Sequence, residues 1–244
     1  LEEAESVHGE ALELLSDALG SEHPLSAQAL EQLGHVWRAA GRFEAARDAY
    51  ARSLALQRRA LGPDHLAVAV VATNLASAHL GLGDADQAIE LLQGVTAVEQ
   101  QQLSPGRATA STLHALGNAY VIRGDLEAAM RAFATGLEHI ELEHGPEHPE
   151  RAIFMSSLAS VALDRGDSSG AIAFATESQA LRQAAFGPDD RRLAFEDLVL
   201  AGAYLEQGRP ERALERAEHG RRLLADDAVR PAWVAELGYF RARA

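Results

Sequence analysis

Residues 41–50, GRFEAARDAY, return in altered form at 124–133 as GDLEAAMRAF. They are two of five copies: Gly41, Gly83, Gly124, Gly166 and Gly208 stand at intervals of 42, 41, 42 and 42. Five residues beyond each glycine comes Ala46, Ala88, Ala129, Ala171 or Ala213. Before each glycine lies Leu33-Gly34, Leu75-Ala76, Leu116-Gly117, Leu158-Ala159 or Leu200-Ala201. A connector series keeps the same beat, with Gly62-Pro63-Asp64-His65, Gly145-Pro146-Glu147-His148, Gly187-Pro188-Asp189 and the related Gly20 to Pro24. Self-similarity at a period of roughly 20–50 residues confines a chain to stacked solenoids or propellers, because no unit can bury its apolar face alone.

The prolines choose between the two. Pro24, Pro63, Pro105, Pro146, Pro149, Pro188 and Pro231 fall between the long apolar-periodic segments, and Pro210 falls where a first helical turn tolerates it. Apolar spacing inside the segments is helical, as in Phe43, Ala46, Tyr50, Leu54 and Leu61. The pattern predicts two long helices per period, with helix A over 26–40 and helix B over 43–61 in the first full repeat. The fold class is therefore all-α, an array of antiparallel helix hairpins. Small residues at Gly34, Ala76, Gly117, Ala159 and Ala201 are expected to face the alanines at Ala46 and its equivalents. The aromatic positions Trp37, Tyr50, Tyr120, Phe133 and Tyr204 are expected to fill the remaining core.

Composition removes much chemistry. The chain has no cysteine and no lysine, so disulfides, thiolate metal sites, a P-loop and a Schiff-base lysine are all excluded within these 244 residues. Its 22 basic residues are all Arg, and against 36 acidic ones they leave a net charge of −14. Such a surface repels phosphate backbones, so nucleic acid and anionic lipid are poor candidate partners and no nucleic acid is expected. No apolar run reaches the roughly 20 residues of a membrane-spanning helix, so no membrane insertion is expected. An all-Arg chain rich in Ala and Gly suggests a GC-rich bacterial genome.

Leu33-Gly34-x-x-Trp37, then Ala46, Tyr50 and the small Ser53, resembles the tetratricopeptide repeat signature. The small-residue positions and the glycine turn favour that family over helical repeats of similar length. The long repeat with its Gly-Pro-Asp/Glu-His connector is similar to the repeats of kinesin light chain, a variant also found in bacterial signalling proteins and after bacterial Ser/Thr kinase domains. The resemblance implies a right-handed superhelix whose concave face, lined by the helices A, holds a protein or peptide. It implies a non-catalytic scaffold without cofactor, acting as the docking or sensing arm of a bacterial signalling protein in the cytoplasm. The alternative is the regulatory region of a multidomain enzyme such as a Ser/Thr kinase, and a third reading is an architectural spacer.

The repeat phase predicts a second helix of a truncated repeat over 1–25, full repeats over 26–65, 66–106, 107–148, 149–189 and 190–229, and an unpaired final helix over 230–244. Trp233, Leu237, Tyr239 and Phe240 would leave that helix with an uncovered apolar face open to self-association. Both ends suggest a piece of a longer polypeptide.

Counting inward positions along each helix A gives the candidate partner-binding set. The first three helices supply Gln28, Glu31, His35 and Arg38, then Thr73 and Ser77 with Asn74 one place off the face but within reach of it, then His114 and Asn118. The last two supply Ile153, Ser156 and Ser160, then Phe195 and Leu198. The polar members suit a peptide backbone or an acidic group, and the apolar ones an anchor side chain. The clamp of Lys, Arg and Asn by which related domains hold a terminal carboxylate is absent, since this face has one Arg and no Lys.

Other motifs reduce to structure. His139, His144 and His148 crowd together, but with no standard zinc spacing. His23, His65 and His148 share one connector position and are expected to bond the turn. Gly81-Leu82-Gly83 ends a helix instead of following a strand, so it reads as a turn and not as a phosphate loop.

Overall fold

The computed structural model describes residues 23–102 and 107–224, together with 6, 7, 9, 10, 14, 18 and 20. Most of the helix expected over 1–25, and all of the final helix over 230–244 with its self-association surface, lie outside the described residues. Ten helices are delimited among the described residues, and no strand occurs among them. They are α1 Pro24–Ala39, α2 Phe43–Leu61, α3 Leu66–Gly81, α4 Ala85–Gln102, α5 Arg107–Arg123, α6 Leu126–His144, α7 Arg151–Asp164, α8 Ser168–Phe186, α9 Leu193–Glu206 and α10 Pro210–Leu223. The chain divides into two units, Leu1–Asp125 with α1–α5 and Leu126–Ala244 with α6–α10. Within each unit every helix packs on the one before and the one after it.

One device makes all five hairpin turns. At the first, Arg42 N–H bonds the Trp37 carbonyl at 2.8 Å and Gly41 N–H bonds that of Arg38 at 3.0 Å. These two bonds close a helix end only if the residue between the last helical turn and the exit has φ > 0, and Gly41 sits at φ 73°. The same pair of bonds recurs at Gly83-Asp84, Gly124-Asp125, Gly166-Asp167 and Gly208-Arg209. The repeating glycine thus sets the period.

The connectors carry a second device. His23, His65 and His148 each accept a backbone N–H two residues on through Nδ1, at 3.2, 3.1 and 3.3 Å. In the fifth repeat Asp190 takes the place of the histidine and caps Arg192 N–H at 2.9 Å. His23 and His65 thereby cap their helices, whereas His148 and Asp190 order the turn just before helices that start at Arg151 and Leu193.

The core is aliphatic and small. In the first unit Tyr50, Leu54, Val68, Val71 and Leu75 form one cluster, against which Trp37 packs, and Ile89, Leu92 and Leu116 form the next. In the second, Val199, Leu200 and Tyr204 pack on the alanines Ala159, Ala162, Ala171 and Ala175. The expectation that Gly34 makes room for Ala46 needs correction. A Cβ at Gly34 would lie 2.5 Å from Cε1 of Tyr50, so the absent side chain makes room for a fully buried ring. Ser53, the small residue of the signature, is itself buried and donates to the Ala27 carbonyl at 2.8 Å. Its equivalent Ser178 does the same to Ala152 at 3.0 Å.

Candidate functional site

In the first unit, the face of α1 and α3 carries a connected polar row. Glu31 and His35 are one helical turn apart on α1 and approach to 3.8 Å. Glu31 Oε1 accepts from Asn74 Nδ2 at 3.0 Å, a bond from α3 back to α1. His35 Nδ1 pairs with the Tyr50 hydroxyl at 2.9 Å. Burial pushes the Tyr50 hydroxyl above its ordinary range, against the pull of the neighbouring Arg38, while the Glu31 charge adds to the rise. Arg38 and Gln28 are exposed at either end of the row. Thr73 spends its hydroxyl on the Ala69 carbonyl at 3.0 Å, one turn back along its own helix. Ser77 is half-buried beside it.

On α5, Asn118 is exposed and lies 3.4 Å from His114 Nδ1. Desolvation lowers the pKa of His114, so its imidazole is neutral at physiological pH and Asn118 meets no positive charge there. Below the polar row, Gln28 and Glu31 form one wall of a half-open pocket of ≈ 560 Å³ completed by α2 and α3. Of the nine residues expected in this unit, Gln28, Glu31, His35, Asn74, His114 and Asn118 belong to the bonded rows or the pocket wall, Arg38 reaches them through Tyr50, and Thr73 bonds only its own helix.

The second unit departs from expectation. Ile153 is exposed, and Ser160 and Phe195 are half-buried. Ser156 and Leu198, expected to face a partner, are buried, and this is a correction. Leu198 packs into a cluster with Ala194, Ala201, Ala217 and Leu224. Ser156 belongs to a buried polar knot that inward counting missed. Glu196 is fully buried and its Oε1 accepts from Ser156 at 2.5 Å, Ser178 at 2.7 Å and Arg182 Nε at 2.8 Å. Its Oε2 has no partner.

Beside it, the equally buried Asp197 takes His219 Nδ1 at 2.5 Å and Gln179 Nε2 at 3.3 Å, with Arg216 at 3.5 Å. Burial raises the Asp197 pKa, and His219 and Arg216 only partly offset the rise. The sequence did carry a signal. Residues equivalent to Glu196 in the earlier helices A are Ala29, Val71, Thr112 and Phe154, and those equivalent to Asp197 are Leu30, Ala72, Leu113 and Met155. All eight are buried, so two adjacent charges in this register mark an internal network.

Among the described residues no group of three or more His, Asp or Glu is arranged to hold a metal ion. The rings of His144 and His148 stack at 4.4 Å. No helix among the described residues is long and apolar enough to cross a membrane.

Comparison with known proteins agrees with this architecture. The tetratricopeptide repeat model matches residues 1–59, 27–101, 72–141 and 108–184, and a second model of that repeat matches 197–219. No curated protein matches in sequence. Among solved structures, the nearly identical TPR-like repeats of a Podosopora anserina protein assigned as a kinesin light chain share 22% identity. They cover 83% of this chain and 97% of that one, with a TM-score of 0.71. BtubC (BKLC) of P. vanneervenii aligns over 94% of each chain at 16% identity and a TM-score of 0.75. A Rap protein complexed with competence and sporulation factor aligns over 96% of this chain and 62% of its own, at 15% identity and a TM-score of 0.69. Such arrays support protein–protein interaction and are typically not catalytic. The chain belongs to the tetratricopeptide repeat family, with repeats like those of kinesin light chain.

Proposed function

We propose that the chain is the docking arm of a bacterial signalling protein and takes a peptide or protein partner on its exposed helix-A faces. In the first unit Gln28, Glu31, Arg38, Ser77 and Asn118 meet the partner, while His35, Thr73, Asn74 and His114 order the surface behind them. In the second unit Ile153, Ser160 and Phe195 offer a smaller, more apolar patch. The observation that carries this reading is the polar row of α1 and α3. Its members are already bonded to one another across two repeats, so they lose little freedom when a ligand arrives. The row also borders a pocket whose ≈ 560 Å³ lies within the roughly 300–1,000 Å³ common for ligand sites. The similar Rap fold, solved with competence and sporulation factor, supports the signalling context.

The test is selection of a phage-displayed random dodecapeptide library on the full chain, followed by titration of the enriched peptides. Arg38→Ala with Asn118→Ala is expected to weaken them by about tenfold or more, as loss of hydrogen bonds to charged and polar groups does. Enriched peptides that bind this double variant as tightly as the parent chain would remove the helix-A face from the function.

A further inference from the structure

The pocket beneath the polar row has one charged residue in its lining. Glu31 is joined there by Gln28 from α1, by Gln57 and Leu61 from α2, and by Ala67 and Val70 from α3. Leu61 and Val70 are 47% and 57% exposed, so two aliphatic side chains meet water at its mouth. Glu31 Oε1 accepts from Asn74 at 3.0 Å, and His35 Nε2 lies 3.8 Å away. Among the described residues its Oε2 has no hydrogen-bond partner, and it is not among the buried unpaired atoms. The carboxylate is therefore anchored through Oε1, with Oε2 unbonded among the described residues and no cation in the pocket lining.

We infer that this pocket takes an apolar side chain from a peptide whose neighbouring residue is Arg or Lys, with that cation bonding Glu31 Oε2. This rests on the helix-A face being the receiving surface, and names what the surface selects. Three features single out a basic, apolar segment. The exposed aliphatic rim is relieved of water only by an apolar partner. The single open carboxylate favours a cation and penalises an acidic residue brought against it. The net charge of −14 draws basic segments toward the chain before any contact forms. The amides of Gln28 and Gln57 supply donors and acceptors for the backbone between the two side chains.

The peptides enriched on the full chain provide the test, read now by composition and by two further variants. Glu31→Gln keeps an acceptor for Asn74 and removes only the charge; Val70→Glu places a charge on the exposed rim without touching the core. Support consists of peptides enriched in an aliphatic residue beside Arg or Lys. Their affinity should fall roughly tenfold in Glu31→Gln, and be lost in Val70→Glu, with weaker binding at high salt. Two outcomes overturn the inference. Peptides of other composition, weakened by Arg38→Ala with Asn118→Ala but not by Glu31→Gln, would defeat the cation pocket and leave the helix-A face in use. Peptides indifferent to every variant, or no enrichment at all, would defeat both.

Discussion

Replacing Arg182 by Met probes the buried knot between α7, α8 and α9. The guanidinium is the positive charge hydrogen-bonded to Glu196, whose carboxylate is fully buried, held also by two serine hydroxyls and within the field of Arg192. Removing one member of a buried pair leaves a charge without compensation and costs about 3–5 kcal/mol. Changing both, as Arg182→Met with Glu196→Met, removes the desolvation burden together with the attraction. With Glu196 gone, Ser156 and Ser178 can each turn their single proton to the Ala152 carbonyl, 2.7 and 3.0 Å away, so neither hydroxyl is orphaned. The equivalent residues one repeat earlier are the apolar Ile140 and Phe154, both buried, so the register accepts an apolar pair. The double variant is therefore expected within about 1 kcal/mol of the parent, or above it. Urea unfolding of the full chain, followed by helical circular dichroism, measures all four corners of the cycle. A single variant that loses less than about 1 kcal/mol, or a double variant that loses as much as the single, would refute the claim that charge compensation governs this junction.

Gly34→Ala gains about 1 kcal/mol of helix propensity but drives a methyl into the immobile Tyr50 ring, at a cost of about 1–3 kcal/mol, so its melting temperature should fall. Gly81→Ala meets only the half-buried ring of Phe43, which can swing aside, and should melt at or above the parent. His65→Ala removes the cap on Ala67 N–H and should cost about 0.5–2 kcal/mol in thermal or urea unfolding, with His65→Asp restoring most of it, as Asp190 does naturally. The folded pKa of Asp197 is raised above its unfolded value, so its contribution is intact below the ordinary carboxylate range and is lost as pH climbs through the raised value. Urea midpoints across that range should show Asp197→Asn gaining on the parent chain as pH rises; a constant difference would refute the assignment. Asp190 has the opposite sign, because the Arg192 guanidinium holds its carboxyl low. Its contribution is present above the ordinary range and lost as pH falls through the lowered value, a loss that Asp190→Asn should not show.

The period and the hairpins were legible because a few residues enforce them locally. Gly41 and its equivalents are demanded by a positive φ, and the bonds that require it depend on neighbours within five positions. The connector histidines were legible for the same reason, each bonding a backbone N–H two residues on in its own turn. The site was only partly legible. Counting faces placed Glu31, His35 and Asn74 near one another, but their mutual bonds depend on how α3 leans on α1, which no single helix encodes. Ser156 and Leu198 were misplaced because they share the border position of the half-buried Glu31, Thr73 and His114, which the second unit closes over. In the second unit α7 and α9 pack against each other, and their charged and hydroxyl side chains turn inward together. Gly34 was read for its neighbour in the alignment instead of its neighbour in space, the Tyr50 ring.

The junctions between successive hairpins are filled differently each time: Gln57 with Val71, Glu99 with Thr112, Ile140 with Phe154 and Arg182 with Glu196 occupy equivalent places. Modules this alike in backbone could otherwise dock in the wrong order while the chain folds. A slipped assembly would set Arg182 against Phe154, or Ile140 against Glu196, and strand an ion in oil. Such mismatches would cost free energy that the native pairing does not, so each hairpin carries an address as well as a shape.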